Sequence, residues 1–420
     1  VPLLFPGFDA VPGKTELTVA LSIITWPYLI FVSTAAVVQG ILNSHRIFGP
    51  SAFTPVLLNL ITIGLVVIFE DWFPSPEVAF AWGFTLGGVA QLVFQLPYLR
   101  GLGLKIRPDL TFGPSVRQVL RVMLPGTFAA GIYQINVLVS QYVATLLAEG
   151  AVSGLQYSLR LQELVLGVFA VSLTTVLLPS MSEQVVKNNH EGLKDTLRFA
   201  CALIAFVCVP ASVGLIVVAR PLVRLLFESG AFDRASTELT AHALVFHAAG
   251  IYAIAMSRIV TQVFYAFQDL RTPTLVAAGV MLVHAALAVG LSLPLAHGGI
   301  ALAGGLASAL NTVWLWGLLR QRIGTLGTRA LAGSLGRIAL ATAAMAGAVA
   351  GLQALTNPMA AASRAALGGW ILLEVTVGVA AFFIMARWLR CPELMELLAM
   401  LRRRRARRAR MAGNSGAGGE

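Results

Sequence analysis

Of 420 residues, 57% are hydrophobic and only 12% are charged, and the mean hydropathy is +0.80. A soluble domain carries about 25% charged residues, so this composition excludes one and predicts an all-α polytopic membrane protein. The net charge of +11 gathers in loops and at the C-terminal end, the pattern of cytoplasmic segments of membrane proteins.

Residues 1–14 read as a loop broken by Pro2, Pro6 and Pro12, without the basic start of a secretory signal. Eleven apolar segments of about the spanning length follow: 16–42, 51–70, 77–99, 115–147, 152–179, 194–219, 236–267, 273–296, 299–319, 330–355 and 363–389. Several carry an internal proline (Pro27, Pro55, Pro97, Pro125, Pro210), which membrane helices tolerate and which marks bends. Basic residues fall in alternate loops: Arg46; Arg100, Lys105 and Arg107; Lys187, Lys194 and Arg198; Arg271; Arg320, Arg322, Arg329 and Arg337. The positive-inside rule makes that side cytoplasmic, with residue 1 outside and the C-terminal end inside. Arg220, Arg224 and Arg234 are the exception on the other side.

The segment 152–179 is apolar apart from a polar stripe. Gln156, Arg160 and Glu163 fall at i, i+4 and i+7, which puts them on one helical face. Arg160 and Glu163 either neutralise each other as an i, i+3 pair or offer a cationic point to an anionic substrate in a wet cavity. An arginine at membrane depth costs about 2.5–3.5 kcal/mol on insertion scales, so such residues face a bundle interior.

Other chemistry is absent from the pattern. Cys201 and Cys208 are seven residues apart on one apolar helix and, with Cys391, make neither a disulfide framework nor a metal motif. The six histidines show no ligand spacing, and there is no nucleophile–base constellation or phosphate-cradling glycine loop. Nothing predicts an enzyme, a metal or another cofactor. The tail LRRRRARRAR (401–410) follows a membrane helix and an amphipathic stretch, 392–401. Attraction to anionic lipid, about 1 kcal/mol per basic residue, explains it more simply than nucleic-acid binding.

An internal repeat organises the chain. Gln39 matches Gln262, Pro50 matches Pro273 and Gly7 matches Gly230, all at a spacing of 223. AWGFTLGGVAQLVFQLPYLR (81–100) resembles ALAGGLASALNTVWLWGLLR (301–320). The first three segments thus echo the seventh to ninth, and the full unit is six helices. Two parallel six-helix repeats form a transporter arrangement with the substrate site between halves. The first unit shows only its last three helices, so about 110 further residues are expected upstream of Val1.

The stretches QGILNSHRIFGPSAFTPVLLNLITIG (39–64), GGVAQLVFQLPYLRGLG (87–103), LQYSLRLQELVLGVFAVSLTTVLLPSMS (155–182), RPLVRLLFESGAFD (220–233) and QVFYAFQDLRTPT (262–274) resemble the MurJ/MviN family of lipid II flippases. That family lies within the multidrug/oligosaccharidyl-lipid/polysaccharide exporter superfamily. The resemblance implies a fourteen-helix fold of two six-helix lobes and a C-terminal helix pair, of which this chain holds helices four to fourteen. The implied division is 1–112 as the second half of the first lobe, 113–324 as the second lobe, 325–391 as the helix pair and 392–420 as a basic cytoplasmic tail. A cationic central cavity receives the pyrophosphate–sugar head of lipid II. Arg160 and Glu163 match the arginine and glutamate of the family's eighth helix. Arg258 stands where relatives carry a basic residue, and Gln134 at a polar place.

There are departures. Leu159 replaces the aspartate that many members carry before that arginine. The segment 273–296, where some members bind sodium, offers only His284 and Ser292 as polar midspan groups. The expected function is therefore lipid II flipping by alternating access in the bacterial inner membrane, driven by membrane potential or a coupling ion. Export of another polyprenyl-linked glycan and a non-transporting scaffold for cell-wall synthesis proteins are the alternatives.

Overall fold

A computed structural model describes residues 4–103, 113–167, 172–325, 328–356, 359 and 363–395. Among these, helices follow one another and no strand forms beyond an isolated bridge between Ser229 and Phe232. The helices are α1 (Lys14–Thr25), α2 (Tyr28–Ser44), α3 (Gly49–Ile68), α4 (Pro76–Gly101), α5 (Pro114–Thr145), α6 (Ala151–Leu166), α7 (Ser172–Val186), α8 (His190–Phe227), α9 (Arg234–Ala266), α10 (Arg271–Ile323), α11 (Thr328–Thr356) and α12 (Arg364–Trp388). Among the described residues, eight helical stretches are long and apolar enough to cross a membrane, α1 and α2 counting as one and the two arms of α10 as another. The chain is an all-α polytopic membrane protein. The tail 401–410, Lys105 and Arg107 lie outside the described residues.

Two segments read separately in sequence, 273–296 and 299–319, remain two helices within α10. The break between these two arms is at Ala296, whose φ of 48° is left-handed, just after Pro294. Pro27 parts α1 from α2 more gently, since Trp26 and Pro27 both keep a right-handed helical backbone. Where proline stays inside a helix it leaves the carbonyl four residues earlier without its donor. In α3 that carbonyl is Ser51, which accepts the Thr54 hydroxyl at 2.9 Å instead. Side-chain caps start α8, α9 and α12: Asn189 accepts from the Gly192 N–H (3.0 Å), Asp233 from Ser236 (2.8 Å) and Ser363 from Ala366 (3.2 Å).

The chain divides into two compact units, residues 1–124 and 125–420. In the first, α4 packs against α3 through Gly83, where a Cβ would sit 2.8 Å from the Thr62 Cα. Polar side chains tie α4 to its neighbours: Thr85 Oγ1 donates to the Ile24 carbonyl of α1 (2.7 Å) and Gln91 Nε2 to the Thr54 carbonyl of α3 (3.0 Å). The second unit is centred on α9, which packs against α6, α8 and α10. Its main core joins Ile204, Ile251, Ile259, Phe264, Leu315 and Leu319, each no more than 2% exposed. Cys201 and Cys208 are small buried thiols in that core.

Candidate functional site

Within the second unit, α5, α6, α9 and both arms of α10 line a cavity of about 330 Å3. Each helix contributes one stripe, and the phase of each stripe decides which polar groups arrive. On α5 the stripe is Tyr133, Asn136, Val137, Ser140, Gln141 and Ala144. On α6 it includes Gln156, Leu159, Gln162 and Glu163, and on α9 it includes His247, Ser257 and Arg258. The arms of α10 add His284, Ser308 and Asn311.

The wall is braced by hydrogen bonds between helices. Gln162 Nε2 donates to the His247 carbonyl (2.5 Å), and Ser158 Oγ meets His247 Nδ1 (2.8 Å), so α6 grips α9 at one turn. Asn311 Nδ2 donates to Ser257 Oγ at 2.6 Å, joining α10 to α9 next to Arg258. Beside these, Gly250 and Gly305 let the two backbones touch: a Cβ on Gly250 would lie 2.8 Å from the Gly305 Cα. Asn136 Oδ1, His284 Nδ1 and Asn311 Oδ1 are buried without a hydrogen-bond partner among the described residues.

The four residues singled out from sequence are not all placed alike. Arg258 and Glu163 line the cavity, and Arg258 pairs with no carboxylate among the described residues. Arg160 is on the flank of the α6 stripe and outside the lining. Its guanidinium reaches Glu163 at 3.3 Å, with side chains 76% and 43% uncovered by protein. Gln134 is also uncovered and outside the lining. Residues two apart on a helix point about 200° apart, and the stripe takes Asn136. Asn136, Gln141, Ser257, Ser308 and Asn311 were missed in sequence. The one signal that marks them is a polar side chain at i, i+3 or i+4 from another on the same apolar helix.

A family model described as Lipid II flippase MurJ matches residues 1–366. The chain belongs to the MurJ lipid II flippase family. It is 33% identical over 339 residues to the probable lipid II flippase MurJ of Vibrio cholerae, covering 80% of this chain and 64% of that protein. To the lipid II flippase MurJ of Burkholderia cenocepacia it is 34% identical over 313 residues, covering 73% and 60%. The matched part thus spans less than two thirds of the length of these relatives. The fold is that of a solved lipid II flippase MurJ in an inward closed conformation, with TM-score 0.73 at 24% identity over 92% of this chain and 77% of that one. An inward-facing multidrug resistance MATE family transporter, described as of the MOP superfamily, matches at TM-score 0.64 and 18% identity, covering 77% of this chain and 76% of that one. Membership of the MurJ family and the apolar helices make the chain a multi-pass protein of the bacterial inner membrane.

Proposed function

We propose that this MurJ-family protein moves lipid II, the polyprenyl-pyrophosphate-linked peptidoglycan precursor, from the cytoplasmic to the outer leaflet by alternating access, as a transporter and not an enzyme. One observation carries the reading. A cation, Arg258, faces a polar cavity inside an apolar bundle with no carboxylate paired to it among the described residues. An unpaired cation there attracts a pyrophosphate and repels the cationic drugs that a multidrug exporter would take. A planar guanidinium grips two phosphate oxygens at once. The unpartnered oxygens of Asn136 and Asn311 leave acceptors for the hydroxyls and amides of a sugar–peptide head.

Arg160 and Glu163 act as a pair at the edge of the cavity, with Arg160 reaching the substrate when Glu163 releases it, and Asn136, in place of Gln134, helps hold the polar head. Residues 1–112 form the second half of one lobe, 113–324 the other lobe and 325–391 the C-terminal pair. Residue 1 lies outside and the basic tail, 392–420, lies inside against anionic lipid. Moving net negative charge outward is favoured by about 2.3 kcal/mol per charge per 100 mV of inside-negative potential.

The test is accessibility of labelled lipid II at the outer face of spheroplasts. Arg258→Ala should lower flipping at least tenfold at normal protein abundance, and Arg258→Lys should restore part of it. Arg160→Ala should also lower it, whereas Arg160→Ala with Glu163→Ala tests the pair. Full flipping by Arg258→Ala would remove the cationic site from the mechanism, and full flipping by the double variant would leave Arg160 structural.

A further inference from the structure

Away from the cavity, three helices meet in a buried clasp. Pro221 lacks an N–H, so the Val217 carbonyl of α8 has no donor from within its own helix. Gln353 on α11 supplies one: its Nε2 lies 3.3 Å from that oxygen. The second hydrogen on the same nitrogen goes to Glu374 Oε2 on α12, at 3.1 Å. One amide therefore ties α11 to both α8 and α12.

Glu374 is the unexpected member. It is 0% exposed, it stands inside an apolar helix, and its Oε1 has no hydrogen-bond partner among the described residues. Among the described side chains, the charged groups of the surrounding helices near Glu374 are committed elsewhere or stand turns away. On α8, Arg220 is paired with Glu238, and Arg224 with Glu228 and the Met359 carbonyl. On α12, Arg364 donates to the Glu228 carbonyl. Towards the other end of the pair, the Arg337 guanidinium of α11 reaches the Arg390 carbonyl. Arg387, on α12, is a further three turns on from Glu374. A carboxylate anion held by one neutral amide, with no cation against it, is a poor occupant of such a site. A neutral acid fits, because it needs no counter-charge.

We propose that Glu374 is a proton-binding site that holds a proton while α12 is seated on α8 and α11, and surrenders it when the three part and water reaches the carboxyl. Seating of the C-terminal helix pair is thereby coupled to uptake of one proton. Glu374 lies beyond the residues matched by the family model, which end at 366, so the site is argued from this chain alone.

Infrared spectra of the full chain in lipid nanodiscs at neutral pH, wild type minus Glu374→Gln, test the assignment. The expected difference is one neutral-acid C=O stretch that disappears in the variant. Carboxylate stretches in its place overturn the proposal. Glutamine reproduces a neutral acid in shape and in accepting from Gln353, so Glu374→Gln should keep wild-type abundance and melting temperature. A variant that fails to assemble would show that the charge is needed and would equally overturn it. A second reporter is a crosslink between Leu225→Cys and Gly368→Cys, in a background lacking Cys201, Cys208 and Cys391. The two positions adjoin, since a Cβ on Gly368 would lie 3.7 Å from Leu225 Cδ1. Crosslinking should be unchanged by Glu374→Gln and fall severalfold with Glu374→Lys. Equal crosslinking in the lysine variant would separate the carboxyl from helix seating and overturn the coupling.

Discussion

The ends of α2 and α9 close with the same backbone turn and anchor it by opposite chemistry. After α2, the N–H of Arg46 bonds to the Asn43 carbonyl (3.0 Å) and that of Ile47 to Leu42 (2.9 Å). After α9, Gln268 bonds to Tyr265 (2.9 Å) and Asp269 to Phe264 (2.9 Å). Both are Schellman caps, with a left-handed residue, Arg46 at φ 62° or Gln268 at φ 59°, in the same place. The caps are 222 residues apart, whereas Pro50 and Pro273 are 223 apart. The second loop therefore holds one extra residue, and Gln39 and Gln262 are offset by one in the helices that precede the caps.

The difference lies in the residue that follows the left-handed position. Ile47 is apolar and packs on the cluster of Val38, Leu42 and Leu99. Asp269, its counterpart, accepts from the Thr272 N–H (3.0 Å) and hydroxyl (2.9 Å) and from Arg322 at 3.1 Å. Arg322 in turn stands over the Phe267 ring at 4.3 Å. A backbone cap is local and can be repeated cheaply in sequence. What pins it to the bundle is a distant partner, which each copy has chosen separately.

The largest effect should come from the anchor the copies share, the buried residue whose carbonyl closes the cap. Phe264→Ala should lower stability by about 3–5 kcal/mol and Leu42→Ala by about 2–5 kcal/mol, read as midpoints of unfolding in detergent micelles. A small loss at either site would mean that the turn is held by its backbone bonds alone.

Next comes the residue that differs, and here pH separates the copies. The Thr272 N–H foremost, with its hydroxyl and Arg322, holds the Asp269 carboxyl below the usual carboxylate range. A depressed value stabilises the fold above the unfolded-state value, about 3.9, and the gain is lost as pH falls through the folded one. Asp269→Ala should cost about 1–2 kcal/mol at neutral pH, and the cost should shrink on acidification. Ile47→Ala should cost about 1 kcal/mol at every pH. Parallel pH profiles for the two variants would erase the distinction.

The smallest effect should be common to both. Glycine at Arg46 or Gln268 relieves the left-handed strain and should stabilise by up to about 1 kcal/mol, as a slight rise in melting temperature. Opposite signs at the two sites would show that the side chains, not the backbones, set the turns.

Much of this molecule is legible along the chain because lipid makes the rules local. A run of apolar residues must satisfy its own backbone hydrogen bonds, so it becomes a helix wherever it lies. The breaks at Pro27 and near Pro294, the family, and the pairing of Arg160 with Glu163 follow from neighbours in sequence. Glu163 could be chosen because a charge in an apolar run has few places to go, whereas Arg258 came from the family resemblance.

The rotation of each helix is another matter. Asn136, and not Gln134, lines the cavity because the packing of the surrounding helices sets the phase of α5, and no window of sequence contains that information. The same holds for Asn311 meeting Ser257, and for Gln353 reaching both a carbonyl freed by Pro221 and the carboxyl of Glu374. Composition and proline spacing determined which residues are helical and where the helices bend. Tertiary structure alone decided which polar atoms meet, since a buried hydrogen bond between helices depends on the mutual phase and height of two cylinders, and each helix carries only half of that relation.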